Sequence, residues 1–426
     1  MGYILYNILS IIGFPVLLFA LAVRSKYRAG LWQRMGFISK KIRVQLTGYH
    51  PIWVHAVSVG EVLASVPIIR KIKKEHPQKK IVLSTITSTG NNTARQKLPE
   101  VDFLIYFPYD YFFIVQKVIK IIQPCIFIHT ETEVWPNFLW VLKKNRIPSV
   151  IVNGRISAGS CRRYKLFGLF FKNVFNKVSA FGMQSFIDCK RVVDIGADPH
   201  KIFITGNMKF DKKNQDSTGT KKDELLKELG LDEKDKIFIA GSTHPPEEEG
   251  ILWVFLELLK EKFNLILILA PRHPERFSEV EKLVKKRGLS LVRKSQIKNT
   301  KFASRPQVIL LDTIGELAQT YSLGDVIFVG GSLVNVGGHN LLEPLVFKKP
   351  VIFGPYIQNI SEIVNLLIQS EAGILVKTKE ELLYQSKRLL INGKEAQALG
   401  ERGFQVVNTH QGATEKNMAI IRRFIL

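Results

Sequence analysis

Twice along this chain, short apolar runs rich in β-branched and aromatic residues alternate with amphipathic stretches, and no other feature constrains the fold as tightly. The first series is Ile52–Val57, Ile81–Ile86, Phe103–Phe107, Ile126–His129, Val150–Asn153, Ala180–Met183 and Ile202–Thr205, with helical patterns such as Val62–Lys74 and Phe113–Ile122 between them. The second is Ile237–Ala240, Leu265–Leu269, Val308–Leu311, Val326–Val329, Val351–Phe353 and Gly373–Val376, with helical patterns near Gly250–Lys260, Pro274–Lys286, Ile360–Ile368 and Glu380–Leu390. Runs that are apolar at every position need cover on both faces, as buried parallel strands do. Between the two series, Asp211–Glu224 is almost wholly polar and reads as a linker. The expectation is an α/β chain of two doubly wound domains, 25–210 and 225–405, joined by 211–224. A helical segment over 406–426 is expected to pack back across the domains. A length of 426 residues is too great for one compact domain, and ligands of such sheets bind at the carboxyl ends of the strands.

Charge narrows the partner. Lys plus Arg total 61 against 37 Asp plus Glu, a net +24, which suits nucleic acid, anionic lipid or a phosphorylated substrate. The first acidic residue is Glu61, preceded by Arg24, Lys26, Arg28, Arg34, Lys40, Lys41 and Arg43. Ahead of these, Tyr3–Val23 carries no charge; as a helix it would reach roughly 31 Å, a bilayer core. A cleaved signal would place its basic residues before the apolar run, and here they follow it. A buried core helix is the competing reading. The expectation is a signal-anchor helix over 1–24, with the body beyond Arg24 on the cytoplasmic side. Cys125, Cys161 and Cys189 form no C-x-x-C pair, which argues against a disulfide scaffold or a structural zinc site.

Unusual residues gather where strands end. Glu61 follows Ser58 and Gly60 at the start of a helix, either as a first-turn carboxylate facing the helix dipole or as a general base. Glu131 and Glu133 share a face of extended chain before Trp135 and Pro136; Pro136 also fits a helix N1 position. After Asn153–Ser157 (N-G-R-I-S), the cations Arg162, Arg163, Lys165, Lys172 and Lys177 interleave with Tyr164, Phe167, Phe170, Phe171 and Phe175. That mixture suits a lipid-phosphate surface, and single-stranded nucleic acid is the alternative. Lys209 lies in G-N-M-K-F-D beside the linker. In the second half, Arg272 ends a strand in A-P-R-H, and Gly315–Leu317 opens a helix. Val329–Pro344 is a glycine-rich loop whose amides, with a helix starting near His339, are expected to hold a phosphate. Asn340-x-x-Glu343 reads as a ribose grip or as a capping box. Dinucleotide and Walker signatures are absent, as are Asp-x-Asp and H-E-x-x-H.

In order, H-A-V-S-V-G-E, E-T-E-V-W-P-N, N-G-R-I-S, G-N-M-K-F-D, A-P-R-H and G-G-S…G-G-H-N-L-L-E-P resemble the motifs of bacterial 3-deoxy-D-manno-octulosonic acid (Kdo) transferases. The likeness runs from Tyr27–Gly36 to about Gln411. It implies two Rossmann-like domains of the GT-B glycosyltransferase fold and an inverting, metal-independent reaction without a cofactor. It implies CMP-Kdo as donor, a lipid A precursor (lipid IVA) as acceptor, no nucleic-acid partner and a place at the inner membrane facing the cytoplasm. Carried across by motif, Glu61 is the base, and Glu131 and Lys209 stabilise the transition state. Pro271, Arg272, Gly315, Glu316, Leu317, Asn340, Leu341, Leu342 and Glu343 contact CMP. Arg162, Arg163, Lys165, Phe170 and Phe171 are expected on the acceptor and membrane face. Three positions depart from the pattern: Gly154 where Ala is common, Leu341 where Pro is common, and the glycine-poor His244–Glu247. A membrane-associated transferase using a UDP-sugar, a sugar-nucleotide epimerase and a basic adaptor are the rival readings.

Overall fold

A computed structural model describes residues 2–23, 29–211, 219–299 and 305–425. The chain forms two compact units, Met1–Lys212 with His410–Leu426, and Lys213–Thr409.

The first unit holds a seven-stranded parallel sheet of β1 (Ile52–His55), β2 (Ile81–Thr85), β3 (Phe103–Tyr106), β4 (Ile126–Thr130), β5 (Ser149–Gly154), β6 (Ala180–Met183) and β7 (Ile202–Ile204), in the order β3-β2-β1-β4-β5-β6-β7. All seven expected runs are these strands. Their continuous apolar character has a direct cause, because both sheet faces are covered. Trp53, Phe127, Ile151 and Phe181 pack with Val115, Ile119, Phe138 and Leu142 in one core. Ile52, Val54, Ile128 and Val152 pack with Val62, Ile68, Ile69 and Ile72 in another. Burying Trp53 satisfies its one polar atom, since Nε1 donates to Ser84 Oγ at 2.8 Å. The strand order reverses between β1 and β4, which opens a crevice at their carboxyl ends.

The second unit repeats the plan with β8 (Lys236–Thr243), β9 (Leu265–Pro271), β10 (Leu291–Arg293), β11 (Val308–Leu310), β12 (Val326–Val329), β13 (Val351–Phe353) and β14 (Ile374–Leu375), ordered β10-β11-β9-β8-β12-β13-β14 and wholly parallel. The reversal falls between β8 and β12. β10 is the strand that the sequence pattern does not predict. Of the expected linker, 212–218 lie outside the described residues, and helix Gly219–Leu229 begins within its remainder.

The C-terminal segment is two helices with different allegiances. Gly393–Thr409 belongs to the second unit. Ala413–Ile421 belongs to the first, where Ala413, Met418, Ile420 and Ile421 join the Ile52–Val54 core. Asp211 caps it, accepting the N–H of Gly412 at 2.7 Å and those of Ala413 and Thr414.

The uncharged N-terminal stretch is a helix, Gly2–Val23, but its first turns dock on the first unit. The Tyr6 hydroxyl donates to Asp110 at 2.9 Å. The Asn7 and Asn137 amides exchange bonds of 3.1 and 2.9 Å, and Tyr3 packs its ring 5.4 Å from Phe170. Among the described residues, no helix is long and apolar enough to cross a membrane. The expected spanning anchor is corrected on this point: Tyr3, Tyr6, Asn7 and Ser10 recur at helical spacing and give the helix a polar edge that bonds to protein. Its other edge, Ile4, Leu5, Ile8, Leu9, Ile11 and Ile12, is exposed.

Candidate active site

In the first unit the functional side chains sit at the strand-order reversal. Ser58 ends the turn after β1, and helix Val59–Glu75 begins with Glu61 in its first turn. The Glu61 carboxylate folds back over that turn, accepting Val57 N–H at 2.7 Å and Ser58 Oγ–H at 3.1 Å. Those bonds favour its anion, yet burial dominates, and Glu131 and Glu133 add repulsion, so its pKa rises to about 8. Glu133 is pushed up to about 7, first by burial and then by Glu131. Glu61 therefore has the proton affinity that a base working near neutrality needs.

Glu131 follows β4 with φ +64°, a left-handed conformation that costs a non-glycine residue energy and is kept only where its surroundings enforce it. Lys209 Nζ lies 3.6 Å from Glu131 Oε1. The rest of G-N-M-K-F-D explains how Lys209 arrives there. Buried Asn153 accepts Met208 N–H at 2.8 Å, Asn207 accepts Lys209 N–H at 3.0 Å, Met208 and Phe210 are buried, and Asp211 caps the C-terminal helix. The structure thus brings Glu61, Glu131, Glu133 and Lys209 into one electrostatic neighbourhood, and Glu133 is a member that spacing alone left without a role.

The basic-aromatic segment is sorted differently from the expectation. Phe170 and Phe171 turn inward, packing on Tyr3 and on Tyr164 with ring centroids 5.4 and 4.6 Å apart. Lys165 pairs with Asp194 at 2.8 Å. Arg163 bonds to Ser160 at 3.2 Å, and Arg162 is exposed. The apolar side chains left outside are Leu166, Phe167 and Leu169, the last 88% exposed.

In the second unit the first amides of the glycine-rich loop after β12 are already engaged. The Glu247 carboxylate accepts the N–H groups of Gly331 at 2.7 Å, Ser332 at 3.1 Å, Leu333 at 2.9 Å and His244 at 2.9 Å. Gly330 is required for that approach, because a Cβ there would lie 2.8 Å from Glu247 Oε2. The Gly331, Ser332 and Leu333 amides of the expected phosphate cradle are thus held by an internal carboxylate, supplied by the glycine-poor stretch. The helix near His339 is a single turn, Leu342–Leu345, and Asn340 Oδ1 takes Leu342 N–H at 3.1 Å. Asn340 Nδ2 donates to Glu343 Oε1 at 2.9 Å, the local pairing that the N-x-x-E spacing allowed.

Arg272 is exposed and forms no ion pair among the described residues, while Pro271 completes β9. Gly315 takes φ +93°, and Glu316 and Leu317 follow at a short helical turn, with Glu316 Oε1 2.8 Å from Lys294 Nζ. Leu341 is fully buried.

Residues 29–212 match the family described as 3-Deoxy-D-manno-octulosonic-acid transferase (kdotransferase). A 3-deoxy-D-manno-octulosonic acid transferase of Haemophilus influenzae is 37% identical over 407 residues, which are 95% of this chain and 94% of that protein. The chain belongs to the Kdo transferase family. As a Kdo transferase it is an enzyme, a glycosyltransferase. A second member, from Chlamydophila psittaci, is 33% identical over 97% of this chain and 94% of its own length. A solved UDP-GlcNAc 2-epimerase from Neisseria meningitidis superposes with a TM-score of 0.59 over 88% of this chain and 100% of its own, at 12% identity. That likeness is one of fold alone; the rival epimerase reading gains no chemistry from it.

Proposed function

We propose that this Kdo transferase moves Kdo from CMP-Kdo to a hydroxyl of a lipid A precursor, lipid IVA, with inversion, without a metal ion, at the cytoplasmic face of the inner membrane. The observation that carries the reading is Glu61, a carboxylate at the end of β1 with its pKa raised to about 8, beside the Lys209–Glu131 pair. The acceptor oxygen attacks the anomeric carbon while Glu61 takes the hydroxyl proton. The bond from that carbon to the phosphate oxygen breaks, and its electron pair leaves with CMP. A single displacement of this kind inverts the centre. Lys209 and Glu131 settle charge at the reacting carbon. Arg272 meets the donor phosphate, and Pro271, Gly315–Leu317 and Asn340–Glu343 hold the cytidine. The exposed apolar edge of the first helix, with Leu166, Phe167 and Leu169 and the cations Arg162 and Arg163, rests on acyl chains and lipid phosphates. The test is mass spectrometry of the product formed from CMP-Kdo and lipid IVA in chelator, with CMP and UDP as competitors. One or more Kdo additions, inhibited by CMP and not by UDP, is the expected result. A UDP-sensitive reaction or an absolute metal requirement would overturn it.

A further inference from the structure

Three histidines gather at the carboxyl ends of adjacent strands in the second unit. His244 follows β8, His273 follows β9, and His339 lies on the loop after β12. His244 Nε2 and His339 Nε2 are 2.8 Å apart, with ring planes within 9° and centroids 5.0 Å apart. The rings therefore meet end-on through their nitrogens. Such a contact holds one proton: two lone pairs would repel, and two N–H groups would collide. One imidazole is thus the Nε2–H tautomer and donates to the other. A further proton can join an Nδ1 without breaking the contact, and the resulting imidazolium makes a stronger, charge-assisted bond to its neighbour. A second extra proton would put two N–H groups face to face. The pair has room for one added charge.

Its surroundings hold it neutral. Burial, the Arg272 guanidinium and the neighbouring imidazoles of His244 and His273 lower His339 to about 4. His244 is lowered by burial, His273, Arg272 and Arg276, against Glu248. Neither Glu247 nor Glu248 is at liberty to help. Glu248 is spent on Arg276 at 2.7 Å and Thr243 at 2.9 Å, and Glu247 on four amides. Glu275, at the solvent rim, faces His273 at 3.7 Å, and Arg272 beside the pair has no ion-pair partner among the described residues. Gly331 keeps the arrangement open, since a Cβ there would come within 2.8 Å of His339 Cδ2.

We propose that the His244–His339 pair takes up one proton when a phosphate-type dianion docks at Arg272, so that anion binding at the carboxyl end of the second sheet tightens as pH falls. This rests on the donor-site reading above. It adds that the site prefers the dianionic phosphate of a nucleoside monophosphate product to the singly charged phosphate of a sugar diester.

The experiment is calorimetric binding of CMP, cytidine and inorganic sulfate to the full chain between pH 7.5 and 5. Sulfate keeps both charges across this range, so any pH dependence belongs to the protein. The expected result is sulfate affinity that rises at least about tenfold from pH 7.5 to 5, the linkage of nearly one proton. His244→Gln and His339→Gln should flatten that rise while still binding CMP at pH 7.5, and His273→Gln should leave it. In the unsubstituted protein, the imidazole Cε1–H resonances removed by His244→Gln and His339→Gln should show a midpoint that moves up when CMP is added. CMP binding with pH-independent sulfate affinity overturns the proposal and leaves the donor reading standing. So does flattening by His273→Gln alone. Failure of CMP to bind at all removes the donor reading and the proposal with it.

Discussion

Replacing Glu61 by Gln should separate the cost of holding a buried carboxylate from its use. Gln keeps the size of the side chain, can accept Val57 N–H and can bond to Ser58, so the turn after β1 survives. What disappears is ionisation. The rise from 4.5 to about 8 corresponds to about 5 kcal/mol against the buried anion; solvent that reaches the half-buried group screens part of this, leaving roughly 2–4 kcal/mol. Below pH 4.5 folded and unfolded chains both carry the proton. Between 4.5 and 8 the folded chain keeps it and the unfolded chain loses it, so stability contributed by this group falls as pH rises, and above 8 the loss is complete. Glu61→Gln removes that slope. Its thermal midpoint should therefore gain on that of the unsubstituted protein from pH 5 to 8.5. Activity should move the other way. In the unsubstituted enzyme log kcat/KM should climb with unit slope up to about pH 8 and then level off. Glu61→Gln should lie at least about 100-fold lower and lose the slope, with CMP binding preserved. Near-normal transfer by Glu61→Gln, or a flat profile between pH 6.5 and 8.5 in the unsubstituted enzyme, would refute the assignment of Glu61 as base.

Lys209→Met should uncover the Glu131 charge, which raises Glu61 further; the rising limb of the pH–rate profile should move alkaline, by on the order of one pH unit, whereas Glu131→Gln should move it towards acid. Glu247→Ala strands four amide donors at once and should cost the second unit about 3 kcal/mol or more in urea unfolding, with loss of CMP binding. Gly154→Ala places a Cβ 2.5 Å from Met183 Sδ and should destabilise by about 1–3 kcal/mol, a loss that Met183→Val should largely restore.

The strands were legible because burial on both faces writes itself as uninterrupted apolar residues. β10 escaped for the converse reason: Leu291–Arg293 is three residues at a sheet edge and ends in a charge that bonds to Glu281. Glu61, Glu131 and Lys209 were legible as charged residues where strands end, and the resemblance supplied their roles. The service of Glu247 was not, because a carboxylate that accepts backbone N–H from a loop more than eighty residues away leaves no local spacing. The only hint was Glu247, Glu248 and Glu249 together in the first turn of a helix, more acid than a helix start needs. In the N-terminal helix, absence of charge suggested lipid, while the informative signal was the recurrence of Tyr3, Tyr6, Asn7 and Ser10 along one edge.

The allegiance of Ala413–Ile421 to the first unit sets the order in which the protein can mature. Ribosomes deliver the whole of β1 to β7 long before Met418 and Ile421, so a nascent chain must carry the unfinished Ile52–Val54 face through synthesis of everything up to Thr409. The second unit, uninterrupted from Gly219 to Thr409, can close while the first still waits for its last helix. A premature stop near the 3′ end of the message would thus damage not the sheet just completed but the one begun first, and holdase chaperones would meet this protein at its oldest surface.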